Sequence, residues 1–188
     1  MKPLNIDFSK FPVLETERLL LRQIVHDDAP VIFRLRSDKD VMRYLDRPAA
    51  KTIEDAHELI NRIDRSLENQ DGITWGIMLK SGEELIGTAG HWRIMKEHFR
   101  SEIGYMLDPQ WQGKGLMQEV LEKVLDYGFI TLGLHSVEAN VNPDNNASIR
   151  LLERNKFVRE AYFRENYFYD GKFLDTLIYS KLATRAEM

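Results

Sequence analysis

Two glycines and a lysine stand directly before a run with helical periodicity, in the segment QWQGKGLMQEV at residues 110–120. Such a loop suits three uses: a nucleotide-phosphate cradle, a dinucleotide-binding turn or an ordinary tight turn. A magnesium-dependent phosphate loop needs Ser or Thr directly after its lysine, and here Gly115 follows Lys114. A dinucleotide turn needs a third glycine where Gln118 stands, although Glu138 occupies roughly the acidic position of that fold. The first use is therefore excluded, and the second is disfavoured.

The place of this loop in the chain favours an anion as its ligand. Gln112-Gly113-Lys114-Gly115 lies where a predicted strand ends and a predicted helix begins. Glycines there let backbone N–H groups point outward, and a helix N-terminus adds about half a positive charge. This cradle suits a pyrophosphate without magnesium, with an ordinary loop as the alternative.

Polar residues on both sides of the loop add chemistry to it. Glu102 begins the predicted strand SEIGYML (101–107), and a carboxylate can act as a general base if burial raises its pKa or if water relays the proton. Asn145 and Ser148 stand at the start of a short predicted helix. There an Asn N-cap followed by Ser is also ordinary helix-start chemistry.

Positioning these residues requires a mixed α/β scaffold. Apolar periodicity and turn signals predict strands and helices in alternation, without a linker, repeat or low-complexity tract. The predicted elements are a strand at 17–24, a helix within 28–44, a helix after Thr52, a hairpin of 74–80 and 85–94, a strand at 101–107, a helix from Leu116, a strand at 136–141, a helix from Asn145, and a hairpin turning at Asp170-Gly171.

Composition sets limits on function. A length of 188 residues predicts a single domain over residues 1–188. The net charge of −4 argues against direct nucleic-acid binding, and the absence of cysteine excludes thiolate catalysis and cysteine metal sites. The histidines lack metal-ligand spacing, so no metal is expected. Neither a signal peptide nor a membrane span is predicted, and we expect a cytoplasmic protein with no membrane partner.

At this point the chain resembles the GNAT acetyltransferases, and within them the Rim-type branch that acetylates the N-terminal amines of ribosomal proteins. The acetyl-CoA loop of that superfamily has the pattern Q/R-x-x-G-x-G/A, which residues 112–117 match except at Met117. ETERLLLR (15–22), EIGYMLDPQWQGKG (102–115) and NPDNNASIRLLERNKF (142–157) resemble the branch's opening strand, central strand with its loop, and pantetheine segment.

The resemblance implies a GNAT fold: α/β (α+β), with a central mixed, mostly antiparallel sheet that is splayed at its central strands and flanked by helices. Acetyl-CoA, as co-substrate, would lie in that splay, and a backbone N–H near Met106 or Leu107 would stabilise the oxyanion. The implied cofactor-binding residues are Met106, Leu107, Gln112, Gly113, Lys114, Gly115, Leu116, Met117, Asn145 and Ser148.

The same resemblance implies catalytic roles for two residues. Glu102 is the candidate base, acting through water, with plain binding of a basic substrate as the alternative. Ser148 is the candidate acid for the departing thiolate. Many relatives use a tyrosine instead, and the later hairpin offers Tyr162, Tyr167 and Tyr169. Tyr105 is predicted to lie in the core.

These features together predict an N-acetyltransferase that transfers acetyl directly from acetyl-CoA to an amine, most simply a protein N-terminal α-amine. Acetylation of a small-molecule amine is the alternative within the same chemistry, and a non-catalytic acyl-CoA-binding regulatory module is the alternative outside it. The combination of Glu102, Asn145 and Ser148 favours the enzyme, because a binder would need only the loop. A homodimer is compatible with the resemblance, since dimers are common in this branch.

Overall fold

A single sheet of eight strands organises the chain in this computed structural model, which describes residues 3–184. The strands are β1 Leu14–Glu15, β2 Leu19–Gln23, β3 Ile73–Leu79, β4 Leu85–Met95, β5 Arg100–Leu107, β6 Ser136–Val141, β7 Val158–Tyr169 and β8 Lys172–Leu182. Their order in the sheet is β1-β2-β3-β4-β5-β6-β8-β7, and only the β5–β6 pair is parallel. The predicted mixed, mostly antiparallel sheet is confirmed.

Helices cover both faces of the sheet. They are α1 Ala29–Ser37, α2 Lys39–Met42, α3 Ile53–Glu68, α4 Leu116–Asp126 and α5 Asn146–Arg154. One face carries a core with α4, whose buried residues recur at the predicted helical spacing: Leu116, Val120, Leu121, Val124 and Leu125. The other face carries a smaller core with α1 and α3, which includes Ile32, Leu35 and Ile60. Within residues 3–184, no helix is long and apolar enough to cross a membrane.

Local signals placed most element boundaries correctly. The helix predicted after Thr52 is confirmed as α3, and the Asp55 carboxylate caps it by accepting the Thr52 N–H at 3.0 Å. Asp170 and Gly171 have φ of 49° and 75°, which joins β7 and β8 through the predicted tight turn.

The helix predicted within residues 28–44 is present as α1, but the chain breaks at Asp38 and the helix does not continue. Asp38 adopts extended backbone angles, and its carboxylate accepts the N–H groups of Asp40 at 2.8 Å and Val41 at 3.0 Å. An Asp that caps the next turn in this way competes with continuation of the helix. The result is a separate short helix, α2, that lies beside the cleft described below.

The central parallel pair is short. β5 and β6 pair only at Arg100–Ser136, Ser101–Val137 and Glu102–Glu138. Beyond that point β5 continues to pair with β4 as far as Leu107, and β6 continues to pair with β8 as far as Val141. The two strands therefore diverge after Glu102, as the predicted splay requires.

Candidate active site

A cleft of about 430 Å³ lies where β5 and β6 diverge. The loop after β5, the first turn of α4, the start of α5 and the short helix α2 form its walls. Its lining residues are Asp40, Val41, Tyr44, Tyr105, Met106, Leu107, Trp111, Gln112, Gly113, Gly115, Leu116, Met117, Gln118, Asn145, Ala147, Ser148, Arg150, Leu151 and Arg154. All of the sequence-predicted cofactor-binding residues are among them except Lys114.

The loop between β5 and α4 presents unpaired backbone donors. Gly113 and Gly115 have φ of 72° and 76°, a left-handed conformation that glycine adopts without strain. The N–H groups of residues 113–117 find no hydrogen-bond acceptor among residues 3–184, whereas the next one, that of Gln118, returns to the Gly115 carbonyl at 3.2 Å. This row of free donors at the start of α4 can bind an anion.

Contacts from outside the cleft hold this loop in place. Arg18 donates to the Lys114 carbonyl at 3.1 Å and forms an ion pair with Glu119 in the first turn of α4. The Lys114 ammonium lies 4.4 Å from the centre of the Trp111 ring, and Lys114 is not among the residues that line the cleft. Its backbone carbonyl accepts from Arg18, and its part in cofactor binding stays a prediction.

One backbone N–H of β5 faces the opening. The Asp108 N–H donates to the Ile86 carbonyl of β4 at 2.8 Å. Because N–H directions alternate along an extended strand, the Met106 N–H also faces β4 and that of Leu107 faces the gap. Gln112 Nε2 donates to the Leu107 carbonyl at 2.9 Å on that same open edge. Of the two predicted positions, only Leu107 presents a free donor there.

The opposite wall begins with an N-cap. Asn145 Oδ1 accepts the Ser148 N–H at 3.1 Å, as predicted for the first turn of α5. Ser148 Oγ lies 2.7 Å from the Tyr105 hydroxyl, which reaches across from β5. The prediction that Tyr105 lies in the core is wrong in part, because its ring packs on the core while its hydroxyl lines the cleft.

Glu102 lies at the last paired position of β5 and β6, opposite Glu138. It is 7% exposed and does not line the cleft. Burial raises the pKa of the Glu102 carboxyl, while a hydrogen bond from Asn140 and the charge of Arg93, at 3.3 Å, act in the opposite direction. Arg100 forms an ion pair with Glu138. Each carboxylate at this point therefore has an arginine partner.

Strand alternation places the two predicted catalytic groups on opposite sides of the sheet. Tyr105 packs with the core of α4, and Met106 packs with that of α1 and α3. Glu102 shares the face of Met106 because it lies four residues away along the strand. Ser148 contacts Tyr105 on the other face.

The hairpin tyrosines lie away from the cleft. The Tyr162 hydroxyl donates to Asp175, and that of Tyr167 donates to the Asp46 carbonyl at 3.2 Å. Tyr169 lines a separate hollow beside Arg43. None of the three lines the cleft that contains Ser148.

Two arginines of the cleft were missed by sequence reasoning. Arg150 and Arg154 lie one helical turn apart on α5 and line the cleft. Their i, i+4 spacing was the available signal. They add positive charge to a wall whose residues Asn145 and Ser148 were predicted. No group of three or more metal-ligating side chains occurs within residues 3–184.

Comparison with known proteins gives the family. The model of the Acetyltransferase (GNAT) domain matches residues 18–158. The chain is 40% identical over 175 residues to the uncharacterized N-acetyltransferase YoaA of Bacillus subtilis, covering 93% of this chain and 99% of YoaA.

Two relatives carry named acceptors. The [ribosomal protein uS5]-alanine N-acetyltransferase of Escherichia coli is 29% identical over 174 residues, which cover 88% of each chain. The spermidine N(1)-acetyltransferase of Vibrio cholerae is 26% identical over 175 residues, which cover 90% of this chain and 98% of that one.

Solved structures agree on the fold. A GNAT-family acetyltransferase from Bacillus anthracis superposes with a TM-score of 0.80 at 28% identity, covering 91% of this chain and 98% of that one. The ribosomal L7/L12 alpha-N-protein acetyltransferase RimL, in complex with coenzyme A, superposes with a TM-score of 0.83 at 19% identity, covering 92% and 98%. The chain therefore belongs to the GNAT acetyltransferases and is an acetyl-CoA-dependent N-acetyltransferase.

Proposed function

We propose that this N-acetyltransferase acetylates the N-terminal α-amine of a protein, by direct attack in a complex with acetyl-CoA bound in the cleft between β5 and β6. Acetyl-CoA supplies the acetyl group as a thioester. The observation that carries the cofactor's placement is the row of unpaired N–H groups at residues 113–117, at the start of α4. Arg150 and Arg154 add positive charge to the same cleft, so its donors and charges fit a pyrophosphate.

Leu107 supplies the donor for the thioester carbonyl. Its N–H faces the gap between the diverging strands, and Gln112 fixes the adjacent carbonyl from the same side. A donor already oriented in this way stabilises negative charge on an oxygen without reorganising during the reaction.

Glu102 removes the proton of the acceptor amine through water. Burial raises the pKa of its carboxyl, which makes it a stronger base than an exposed glutamate. Glu102 does not line the cleft, so a water molecule has to connect it with the amine. Ser148 lies on the opposite face of the sheet and protonates the leaving thiolate. With Glu102 and Ser148 on opposite sides of the gap, the amine can attack the thioester from the side of Glu102. The thiol can then leave on the side of Ser148.

The charges around Glu102 favour a single amine over a polyamine. Glu102 and Glu138 are paired with Arg93 and Arg100, respectively. A polyamine carries several cations and needs unpaired carboxylates to bind them, whereas a protein N-terminus brings one cation followed by a neutral backbone. Similarity to the uS5-alanine N-acetyltransferase supports the same acceptor class.

A small polyamine is the second candidate. A hollow of about 360 Å³ lies between the segment after α2 and the β7–β8 turn, and Tyr44 lines both this hollow and the cleft. The charged residues of the hollow are Asp46, Asp144, Asp170, Arg43 and Lys172. The excess of carboxylates there, and similarity to the spermidine N(1)-acetyltransferase, favour this alternative.

An acceptor comparison with labelled acetyl-CoA tests the proposal. The acceptors are a panel of peptides with free N-termini, the same peptides with a blocked N-terminus and one free lysine, and spermidine. We expect kcat/KM to be at least about tenfold higher for the best free N-terminus than for its blocked partner or for spermidine. A higher kcat/KM for spermidine, or equal values for free and blocked peptides, would show that the acceptor assignment is wrong.

A further inference from the structure

A pair of hydroxyl groups spans the cleft between β5 and α5. The Tyr105 hydroxyl lies 2.7 Å from Ser148 Oγ, and both side chains line the cleft. The Tyr105 ring packs against the core beside α4, so the hydroxyl has little freedom to move. Burial raises the pKa of the Tyr105 phenol to about 12, so the hydroxyl carries its proton at neutral pH.

The hydrogen atoms of this pair can be counted. Asn145 Oδ1 accepts the Ser148 N–H at 3.1 Å, which fixes the Ser148 backbone and leaves its hydroxyl free. Each hydroxyl has one hydrogen atom, and the one hydrogen bond between the two hydroxyls uses one of these two hydrogen atoms. A phenol is a better donor than an alkyl alcohol, so the favoured arrangement has Tyr105 donating and Ser148 accepting. The Ser148 hydrogen then remains available to a group within the cleft.

We propose that Tyr105 is a positioning residue for the acid step: it donates to Ser148 Oγ, fixes the Ser148 rotamer and directs the Ser148 hydrogen at the leaving sulfur. The inference rests on the proposed role of Ser148 as the acid. It replaces Tyr162, Tyr167 and Tyr169 as the tyrosine that serves this site.

Breakage of the carbon–sulfur bond is coupled to proton transfer through the pair. When the carbon–sulfur bond breaks, its electron pair goes to sulfur, and sulfur takes the Ser148 proton. Ser148 Oγ takes the proton of Tyr105, so that the negative charge rests on a phenolate and not on a serine alkoxide, which is far less stable. Water then returns a proton to Tyr105. Glu102 passes the proton from the acceptor amine to solvent, so no net charge remains.

The ordinary alternative is a structural hydrogen bond that only satisfies a buried tyrosine. Both roles require the hydroxyl, but they affect different quantities. A structural bond changes stability or the KM for acetyl-CoA, whereas a bond that directs the acid changes kcat. Tyr179 offers a matched control, because its ring also packs in the core, while its hydroxyl donates to Glu153 at 3.2 Å outside the cleft.

The test compares kcat and the KM for acetyl-CoA in Ser148→Ala, Tyr105→Phe, the double variant and Tyr179→Phe. We expect Ser148→Ala to lower kcat by about 10²-fold and Tyr105→Phe by at least about tenfold, each with KM changed less than about twofold. The double variant is expected to match Ser148→Ala alone, because the two residues act as one unit. Tyr179→Phe is expected to leave both constants unchanged.

The outcomes separate this inference from the proposed function. If Ser148→Ala lowers kcat and Tyr105→Phe does not, Ser148 acts without Tyr105 and the inference is overturned. If Tyr105→Phe changes only KM or the melting temperature, its hydroxyl is structural and the inference is equally overturned. If Ser148→Ala leaves kcat intact, the acid assignment itself is wrong, and the role of Tyr105 falls with it.

Discussion

Lowering the pH is expected to destabilise the fold through His91 on β4. His91 is fully buried, with Nδ1 2.7 Å from Ser101 Oγ and Nε2 3.0 Å from the Val124 carbonyl. A neutral ring satisfies both contacts, because Nε2–H donates to the carbonyl and Nδ1 accepts the Ser101 hydroxyl. Gly128 permits this approach, since a Cβ there would lie 2.6 Å from His91 Nε2.

Protonation of His91 would place an unpaired charge in the core. Burial therefore lowers the pKa of His91 from 6.5 to about 4. The unfolded chain takes up this proton as the pH falls below about 6.5, whereas the folded chain takes it up only near its lowered pKa, so stability falls as the pH falls. The difference between the pKa values of His91 in the unfolded and folded chain corresponds to about 3 kcal/mol in the free energy of unfolding. About 2 kcal/mol of this stability is lost by about pH 5.

Urea unfolding at about pH 7, 6 and 5 measures this loss in the wild type and in His91→Gln. Glutamine keeps a donor for the Val124 carbonyl but does not titrate. The Glu102 carboxyl, whose pKa burial raises, is present in both proteins, so its contribution cancels in the difference. We expect the wild type to lose about 2 kcal/mol more than His91→Gln between about pH 7 and pH 5. Parallel losses in the two proteins would refute a neutral, buried His91.

Three further substitutions test the site and the fold. Glu102→Gln is expected to lower kcat by about 10²-fold at constant KM for acetyl-CoA, and to remove the acidic limb of the pH–rate profile; an unchanged kcat would leave Glu102 only a binding role. Gly115→Asp is expected to weaken acetyl-CoA binding at least about tenfold more than Gly115→Asn, as measured by calorimetry. Both variants share the backbone strain at φ 76°, but only Asp adds a negative charge. Equal affinities would place the pyrophosphate elsewhere. Lys156→Gly is expected to raise the free energy of unfolding by about 1 kcal/mol, because Lys156 has φ of 66°; no gain in urea unfolding would show that the lysine is unstrained there.

Local signals in the sequence located the loop and the helix starts because both depend on neighbouring residues. The glycines at 113 and 115 adopt the left-handed angles that their type allows, and Asn145 caps α5. The end of α5 depends on a contact with another helix: the Asn155 side chain exchanges hydrogen bonds with Gln118 of α4, and Lys156 takes the left-handed angle.

Contacts between distant segments could not be predicted in the same way. Tyr105 was predicted to lie in the core, which is correct for its ring. Its hydroxyl reaches Ser148 only because β5 and β6 stop pairing after Glu102, and that divergence depends on how the whole sheet assembles. The ion pair between Arg100 and Glu138 is equally non-local, because it joins β5 to β6.

The central claim is that acetyl-CoA lies in the cleft between β5 and β6, with its pyrophosphate at the start of α4 and its sulfur beside Ser148. A crystal structure of the complex with coenzyme A measures both placements directly. We expect the sulfur within about 4 Å of Ser148 Oγ and the pyrophosphate oxygens within hydrogen-bond distance of the N–H groups of residues 113–117. A sulfur closer to Tyr162 or Tyr167 than to Ser148, or a pyrophosphate that leaves those N–H groups unpaired, would show that acetyl-CoA does not bind as proposed.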